Sequence, residues 1–382
     1  MICDRLFSEI DKLYETYLGV FEYVCNIESP TNCKEGLDKV GRYFADMAKQ
    51  HGWQVEIFRQ EIAGDVVCIT MNPDAQNAPV TLSGHIDTVH ALGLFGNPPV
   101  KQDEEKFYGP GVFDCKGGVV AAFLAMDALE KTDFKSRPVR LILQTDEETG
   151  SVTSNKATVE YMCKKAEGSA AFLNCETHPH NKTMLIRKGI VRYEFTVCGK
   201  AAKYPSFATG SNAIAEAAYK IIELEKLKDA DGLECNCGTI SGGKEIHSVA
   251  EECTFGVNVR FTSNEQLEFI RNKINELCND IKVEGCTCKV RQIGFRDAMP
   301  LTQTNLDLLA RVNRIYEDNG LEKLDYTMSY GGSDATNITK CGIPCLDSFG
   351  VEGGGIHSAQ EFAIKKTLAE SAKRIAAVVY CI

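Results

Sequence analysis

Strand-like and helix-like segments alternate in the first half of the chain and again near its end, and this alternation constrains the fold most. Apolar runs of strand length cover residues 80–83 and 139–144, and apolar residues at helical spacing occupy residues 117–129 between them. Near the end, a strand is predicted at residues 344–349 and a helix at residues 363–379. Strands that alternate with helices predict an α/β domain whose mixed or largely parallel central sheet is flanked by helices.

The middle of the chain breaks this pattern, because strands there outnumber helices. Strands are predicted at residues 190–197, 238–240, 254–261 and 289–293, and helices follow the potential N-caps Asn212 and Ser263. The order β-α-β-β-α-β over roughly a hundred residues indicates a self-contained α+β domain of the ferredoxin-like type. We therefore predict a discontinuous first domain, residues 1–186 and 294–382, with a second domain inserted at residues 187–293.

The composition is that of an ordinary globular protein and excludes one class of partner. The chain has 382 residues, of which 44% are apolar and 25% are charged, and this length favours two domains. Its net charge of −11 and its lack of a Lys/Arg cluster argue against binding to nucleic-acid phosphates. A small molecule or a protein is therefore the expected partner.

The cysteines and the start of the chain favour a cytoplasmic location. The 17 cysteines are odd in number and scattered, as expected for reduced thiols rather than a disulfide framework. Residues 1–5 lack signal-peptide character, and no apolar run approaches the length that crosses a membrane. Two Cys-x-Cys pairs, Cys235/Cys237 and Cys286/Cys288, could hold a structural zinc, although the usual spacing is Cys-x-x-Cys.

Histidine and carboxylate side chains follow several predicted strands. His85 and Asp87 come directly after the strand at residues 80–83, and side chains two residues apart in an extended chain share a face. By itself this pair is more typical of a loop histidine beside a solvated aspartate. Further candidates lie where other strands end or just before a helix: Asp114, Glu147, Glu148, Glu176 and His357. Because an α/β sheet places its site at strand ends, these residues together predict a metal site.

The glycine-rich loop around Asp114 does not match a nucleotide-binding loop. Residues 109–118 read Gly-Pro-Gly-Val-Phe-Asp-Cys-Lys-Gly-Gly, so Asp114 takes the third glycine position of a Gly-x-Gly-x-x-Gly motif, and no Gly-Lys-Ser/Thr follows. What remains is a carboxylate in a tight turn before a helix, which can offer both oxygens to metal ions. The acidic run at residues 146–148 could by itself be a solvated turn.

Taken in order, these motifs resemble those of the two-zinc exopeptidases and amidohydrolases. This family includes glutamate carboxypeptidase, acetylornithine deacetylase, succinyl-diaminopimelate desuccinylase, aminoacylase and peptidase T. The resemblance runs from the strand before His85 to the end of the chain and is strongest to the glutamate carboxypeptidase branch. It implies a zinc-exopeptidase-like catalytic domain, an inserted lid and dimerisation domain, and a homodimer.

The resemblance also implies a role for each candidate residue of the metal site. It makes His85 and Glu176 ligands of one zinc ion, Glu148 and His357 ligands of the other, and Asp114 the carboxylate that bridges them. Cobalt or manganese could replace zinc at such a site.

The resemblance further implies the chemistry of the reaction. A hydroxide that bridges the two zinc ions would attack an amide carbonyl, with Glu147 as the general base. Asp87 would orient His85, and the peptide bond after Asp114 would be cis.

The chain departs from the family pattern at two of five candidate substrate-binding residues, both of them in the inserted domain. Relatives carry Gly-Lys-Ala-x-His, whose histidine crosses a dimer interface to the partner's active site, whereas Lys203 stands at that position here. His247 replaces the asparagine of the family motif Gly-Gly-x-x-x-Asn. Arg260 and Gly332 are retained, and Arg296 matches an arginine that grips a substrate carboxylate.

These substitutions leave three functions open. The first is a carboxypeptidase-like hydrolase of small peptides, in which Lys203 or His247 supplies the positive charge that the oxyanion needs. The second is an N-acyl amino acid deacylase of the acetylornithine deacetylase or desuccinylase type. The third is a poorly active homologue that binds metal and a peptide-like ligand, because Lys203 replaces the lid histidine. Both substituted side chains could also be merely solvated.

Overall fold

The structure is a computed structural model and describes residues 3–382. Its helices are α1 (Asp4–Cys25), α2 (Lys34–Gln50), α3 (Lys116–Lys131), α4 (Ala157–Ala166), α5 (Ala213–Glu225), α6 (Asn264–Asn279), α7 (Gln303–Asp318), α8 (Ala335–Lys340) and α9 (Thr367–Cys381). Its strands are β1 (Gln54–Phe58), β2 (Val66–Met71), β3 (Val80–His85), β4 (Lys101–Gln102), β5 (Lys106–Tyr108), β6 (Val139–Gln144), β7 (Ala171–Asn174), β8 (Lys182–Arg187), β9 (Gly189–Cys198), β10 (Glu234–Gly242), β11 (Glu252–Phe261), β12 (Thr287–Arg296), β13 (Asp325–Ser329), β14 (Cys345–Leu346), β15 (Gly353–Gly354) and β16 (Phe362–Ile364). Short 3-10 helices cover Glu147–Thr149 and Phe207–Thr209.

The described chain divides into two compact units. The first contains residues 3–185, 301–328 and 333–382, and the second contains residues 186–300 and 329–332. In the first unit a six-stranded sheet has the order β1-β2-β6-β3-β7-β14. Strand β3 is parallel to β6 and β7, and β14 is parallel to β7, whereas β2 is antiparallel to β1 and β6. This mixed sheet confirms the predicted α/β class.

Helix α3 lies in the core of the first unit. All of its residues from Lys116 to Leu129 are buried, and the helix packs against α1 and α9. Its sequence is largely apolar on every face, as expected of a helix enclosed by other elements. A Cβ on Gly118 would overlap the carbonyl oxygen of Cys175, so glycine is needed for α3 to start this close to the end of β7. This approach brings Asp114, just before α3, to the edge of the sheet.

The parallel strands carry polar side chains to one edge of the sheet. Strand β3 ends at His85, β6 at Gln144 and β7 at Asn174. Because the three strands are mutually parallel, their carboxyl ends meet at the same edge. The segments that follow these strands therefore lie side by side, and they carry most of the candidate residues.

The second unit has the predicted element order β-α-β-β-α-β. Its antiparallel sheet has the order β10-β11-β9-β12, with α5 after β9 and α6 after β11. Both predicted caps are present, since Asn212 accepts hydrogen bonds from the amides of Ile214 and Ala215, and Ser263 accepts one from Gln266. Residues of the sheet and of both helices form an apolar core that belongs to this unit alone.

Several predicted element boundaries differ from those of the structure. The closing helix begins at Thr367 rather than at residue 363, because Phe362–Ile364 pair with β5 as a strand. The strand predicted at residues 344–349 ends at Leu346, and the positive φ of 71° at Ser348 marks where the chain turns. The strand predicted to end at residue 293 continues to Arg296, and the second unit includes residues up to 300. The lid and dimerisation roles of this unit stay predictions.

Two further sequence features can be compared with the described residues. None of the helices within residues 3–382 is both long and apolar enough to cross a membrane. All 17 cysteines lie in this range as free thiols. The two Cys-x-Cys pairs belong to none of the clusters of potential metal-ligating side chains that these residues form.

Candidate metal centre

The first of two neighbouring clusters in the first unit is built around His85. Its Nε2 atom lies 3.0 Å from Asp114 Oδ1 and 3.5 Å from Glu176 Oε1. Its Nδ1 atom lies 3.0 Å from the backbone oxygen of Asp87 and 3.4 Å from Asp87 Oδ1. All four residues are at most 6% exposed. An Nδ1–H that donates to Asp87 leaves the Nε2 lone pair directed at the two carboxylates, as in a metal-ligating histidine.

The second cluster is built around His357 and shares Asp114 with the first. The Nε2 atom of His357 lies 3.2 Å from Asp114 Oδ2 and 3.3 Å from Glu148 Oε2. Asp114 therefore turns one oxygen towards each histidine. That is the arrangement by which one carboxylate bridges two cations.

The electrostatics of both clusters favour bound positive charge. Hydrogen bonds with Asp114 and Glu148 raise the pKa of His357 to about 10. Burial acts to lower the pKa of His85, but hydrogen bonds with the carboxylates of Asp114 and Asp87 act to raise it, and this pKa lies well above the usual value. Burial raises the pKa of Glu148. The carboxylates of both clusters thus stabilise positive charge at the two histidines.

Asp87 connects the histidine cluster to the acidic segment after β6. Its Oδ1 accepts the amide N–H of Glu147 at 3.2 Å, and its Oδ2 accepts that of Glu148 at 3.1 Å. Thr31 donates its hydroxyl to Oδ2 at 2.7 Å. This buried aspartate therefore holds both glutamates as well as His85. Burial raises the pKa of Glu147 to about 8, which suits a group that exchanges protons near neutral pH.

The donor set fits two divalent cations. Each cluster offers nitrogen and oxygen atoms that lie within 4.8 Å of one another, from His85, Asp114 and Glu176 in one and from Asp114, Glu148 and His357 in the other. Imidazole and carboxylate are the ligands that zinc accepts in catalytic sites. The Asp114–Cys115 peptide bond is cis, as the resemblance implies.

Cys115 lies within the first cluster, but its sulfur atom contacts the backbone of His85. Its Sγ atom lies 3.1 Å from the backbone nitrogen of His85 and 3.4 Å from the backbone oxygen of the same residue. Burial raises the pKa of this thiol well above its ordinary value, so it is held as the neutral thiol. Its contacts fix the backbone at the end of β3.

A third group of potential ligands, at the far end of α3, is engaged in internal hydrogen bonds. Glu130 lies 2.6 Å from His51 Nδ1 and accepts the indole N–H of Trp53 at 2.7 Å. Tyr17 donates its hydroxyl to Asp127 at 2.9 Å. These bonds join α3 to α1 and to the segment between α2 and β1, which is a packing role.

The second unit brings together three of the candidate substrate-binding residues. Arg260 lies on β11 and Arg296 on β12, the two strands that flank β9. Both are paired with Ile190 of β9, so they occupy the same row on one face of the sheet. Burial and the nearby charge of Arg296 lower the pKa of Arg260. A Cβ on Gly332 would overlap the guanidinium of Arg296, and Arg187 donates to the carbonyl of Gly332 at 2.6 Å.

The other two candidates, Lys203 and His247, also meet in the second unit. Lys203 Nζ lies 3.1 Å from Glu245 Oε2, and His247 Nε2 lies 3.0 Å from the same oxygen. Both side chains are 65% exposed, so solvent screens the contacts and their contribution to stability is small. The two substitutions are therefore one surface cluster rather than two independent changes.

Sequence reasoning missed several buried polar residues around the metal centre. Thr31, Cys115 and Glu361 contact the candidate ligands or their backbone, and burial raises the pKa of Asp334 to about 7. Only Asp334 carried a signal, because it ends the glycine-rich turn at residues 331–334. Thr31 and Glu361 come from segments distant in sequence, whereas Cys115 directly follows Asp114, and no local spacing identifies any of the three.

Comparison with known proteins assigns the family. Residues 81–380 match the sequence model of peptidase family M20/M25/M40. The chain belongs to this family. It is 25% identical to carboxypeptidase G2 of Pseudomonas sp. (strain RS-16) over 347 residues, which are 89% of this chain and 83% of that protein. It is 23% identical to the succinyl-diaminopimelate desuccinylase of Rickettsia massiliae (strain Mtu5), over 91% of this chain and 94% of that protein.

The fold of this M20 chain is likewise similar to that of a solved peptidase. The crystal structure of aminopeptidase PepT from Bacillus cereus ATCC 10987 superposes with a TM-score of 0.79 at 18% identity, over 96% of this chain and 98% of that one. The comparisons confirm the resemblance predicted from the sequence motifs. They place the M20 chain among metallopeptidases and related amidohydrolases.

Proposed function

We propose that this M20 chain is a two-metal hydrolase of amide bonds in small peptides or N-acyl amino acids, most like a carboxypeptidase. The observation that carries the proposal is Asp114, whose two oxygens lie 3.0 Å from His85 and 3.2 Å from His357. A buried carboxylate shared in this way suits two cations better than one. Zinc is the expected metal, and cobalt or manganese are alternatives.

Each proposed ligand has a defined position in the centre. His85 and Glu176 would hold one cation, Glu148 and His357 the other, and Asp114 both. Divalent cations at these positions supply Lewis-acid chemistry, since they lower the pKa of water to about 7 and polarise an amide carbonyl.

Glu147 is the proposed general base. Its backbone is fixed by Asp87, and burial raises its carboxyl pKa to about 8. A carboxylate whose pKa lies near neutral pH can accept a proton from water and pass it to the leaving nitrogen. Asp87 acts on the reaction by positioning His85, Glu147 and Glu148.

Arg260 and Arg296 are the proposed partners of a free substrate carboxylate. The two residues occupy one row of the sheet, and two arginines suit bidentate hydrogen bonds to a carboxylate. A C-terminal amino acid and an N-acyl amino acid both carry such a group. The similarity to a desuccinylase over 94% of that protein keeps the deacylase as a second candidate.

The third candidate is a poorly active binding homologue. Lys203 replaces the lid histidine, and in the second unit it shares Glu245 with His247. A lysine or protonated histidine can still supply positive charge to an oxyanion, and the candidate base and metal ligands are all present. These features favour an active enzyme over a binding protein. Placement in the cytoplasm stays a prediction.

Hydrolysis of a substrate panel tests the function directly. The panel contains dipeptides and N-acyl amino acids, each assayed with zinc, cobalt or manganese and again after chelation. We expect metal-dependent release of amino acid by the unaltered chain and none above background by Glu147→Ala. Turnover no greater than that of Glu147→Ala across the whole panel would contradict the enzyme and support the binding homologue.

The same panel tests the carboxylate contact. Each active substrate is paired with its amide, and Arg296→Ala is compared with Arg291→Ala, an exposed arginine of the same strand that pairs with Glu194. A charged hydrogen bond contributes about 1.5–3 kcal/mol, so we expect kcat/KM to fall about ten- to a hundredfold for Arg296→Ala only. Equal rates with acid and amide would contradict the contact.

We also propose that the second unit forms a homodimer. Strand β10 is an edge of its sheet and exposes Ile240 (57%), and α5, which packs beside β10, exposes Tyr219 (53%) and Ile222 (55%). An exposed edge with apolar neighbours is suited to pairing with a second copy. Light scattering is expected to give a dimer mass, which Ile222→Lys with Ile240→Lys should halve. Ile293→Lys, on the opposite edge strand β12, is the control expected to stay dimeric.

A further inference from the structure

Glu361 is a buried carboxylate that binds the backbone beside the bridging aspartate. It is 1% exposed, and its Oε1 atom accepts the amide N–H groups of Phe113 at 2.9 Å and Asp114 at 3.1 Å. The backbone oxygen of Glu361 also accepts the amide of Gly109 at 3.2 Å. Both ends of the loop that carries Asp114 are therefore attached to this one residue.

His90 completes the hydrogen bonding of Glu361. Its Nε2 atom lies 2.6 Å from Glu361 Oε2, and the imidazole is only 6% exposed. The ring packs edge-on against Phe95, with centroids 4.9 Å apart. A buried carboxylate is costly unless its oxygens are paired, and here one oxygen is paired with His90 and the other with two amides.

Glu361 also closes the turn that carries His357. Its amide donates to the carbonyl of Ser358 at 3.2 Å, and the amide of Ser358 donates to the carbonyl of Gly355 at 3.0 Å. His357 has a positive φ of 58° within this turn. Glu361 thus contacts both the segment that carries Asp114 and the segment that carries His357, two residues of the second cluster.

We propose that Glu361 and His90 are a positioning pair that fixes the Asp114 carboxylate relative to His357, and that metal affinity depends on this pair. The proposal rests on the proposed metal centre. Neither side chain reaches the two clusters as a ligand. Outer groups of this kind typically change metal affinity by about 10–100-fold when they are removed.

The second unit contains a matched control for a merely structural role. Glu216 is also fully buried, and its Oε2 atom accepts two consecutive amides, of Lys282 at 2.9 Å and of Val283 at 2.7 Å. Its Oε1 atom lies 2.7 Å from Lys220 Nζ. Its bonding resembles that of Glu361, but it touches none of the proposed metal ligands.

Zinc affinity, measured on the full chain by competition with a chromophoric chelator, tests the pair. We expect Glu361→Ala to weaken binding about 10–100-fold, and Glu361→Gln to restore most of it because its amide oxygen can still accept both N–H groups. His90→Ala should weaken binding less, and His90→Gln, which keeps an N–H donor, should restore it. Glu216→Ala should lower the melting temperature and leave zinc affinity unchanged.

The outcomes separate this proposal from the proposed function. Zinc affinity within twofold of the unaltered chain in both Glu361→Ala and His90→Ala overturns the positioning pair while the metal centre stands. An equal loss in Glu216→Ala also overturns it, because the effect then follows from lost stability. If Glu361→Ala does not fold, the His90 variants decide the matter. An unaltered chain that binds no zinc overturns the metal centre and the pair together.

Discussion

Asp114→Ala is expected to remove both metal ions and to abolish hydrolysis. Asp114 is the one residue common to the two clusters, with one oxygen facing His85 and the other facing His357. Its loss leaves each cluster with two ligands. Metal content should fall from two ions per chain to less than one, as measured by elemental analysis after dialysis. Loss of several kcal/mol of transition-state stabilisation corresponds to a fall in kcat/KM of about a thousandfold or more.

Two further variants control for this result. Glu176→Ala removes a ligand from one cluster only, so it should retain about one metal ion per chain. Asp65→Asn changes a buried carboxylate that pairs with Lys34 and Arg59 outside both clusters, and it should retain two. Two tightly held ions in Asp114→Ala would contradict the bridging role. A loss of metal in Asp65→Asn would show instead that metal content follows general stability.

The residues that meet in the two candidate metal clusters could be predicted because their signals are local. An apolar run such as residues 80–83 identifies a strand, and the polar residue that ends it must emerge at the edge of the sheet. His85 is the last residue of β3, and Glu148 and Glu176 lie in the segments that follow β6 and β7. The caps Asn212 and Ser263 are local as well, and both are present in the second unit.

Element boundaries were less predictable, because pairing with a distant strand can override local periodicity. The apolar residues at 363–379 fit one continuous helix, yet Phe362–Ile364 pair with Lys106–Tyr108 and the helix begins only at Thr367. No spacing within the segment distinguishes the two conformations. The partner strand, more than 250 positions away, decides between them.

The residues that position the ligands could not be predicted for the same reason. Thr31 reaches Asp87, and Glu361 reaches the amide of Asp114, from opposite ends of the chain. Likewise, Lys203 and His247 look like two unrelated departures in the sequence, but both contact Glu245. Contacts between distant segments follow from the fold as a whole, and a single sequence does not display them.

Glu147→Gln is expected to abolish turnover while both metal ions remain bound. The carboxylate of Glu147 belongs to neither metal cluster, so its replacement removes no ligand. A glutamine cannot accept and return a proton, and general acid–base catalysis typically contributes about 10²–10⁴-fold to a rate. We expect kcat to fall by that factor with little change in KM, measured on whichever panel substrate is cleaved fastest.

Glu148 supplies the sharpest control, because it is adjacent to Glu147 in the same backbone segment but has a different proposed role, as a metal ligand. Asp87 holds the amide of each, so both substitutions disturb the same segment to a similar extent. Glu148 lies 3.3 Å from His357 and belongs to the second cluster, so Glu148→Gln should lose metal as well as activity.

Loss of metal in Glu147→Gln would make Glu147 a ligand rather than a base. Activity above about a hundredth of the original would leave the base unassigned to Glu147, since proton transfer contributes at least about a hundredfold. If both variants are inactive but only Glu148→Gln loses metal, the loss of activity in Glu147→Gln follows from lost proton transfer and not from lost metal binding.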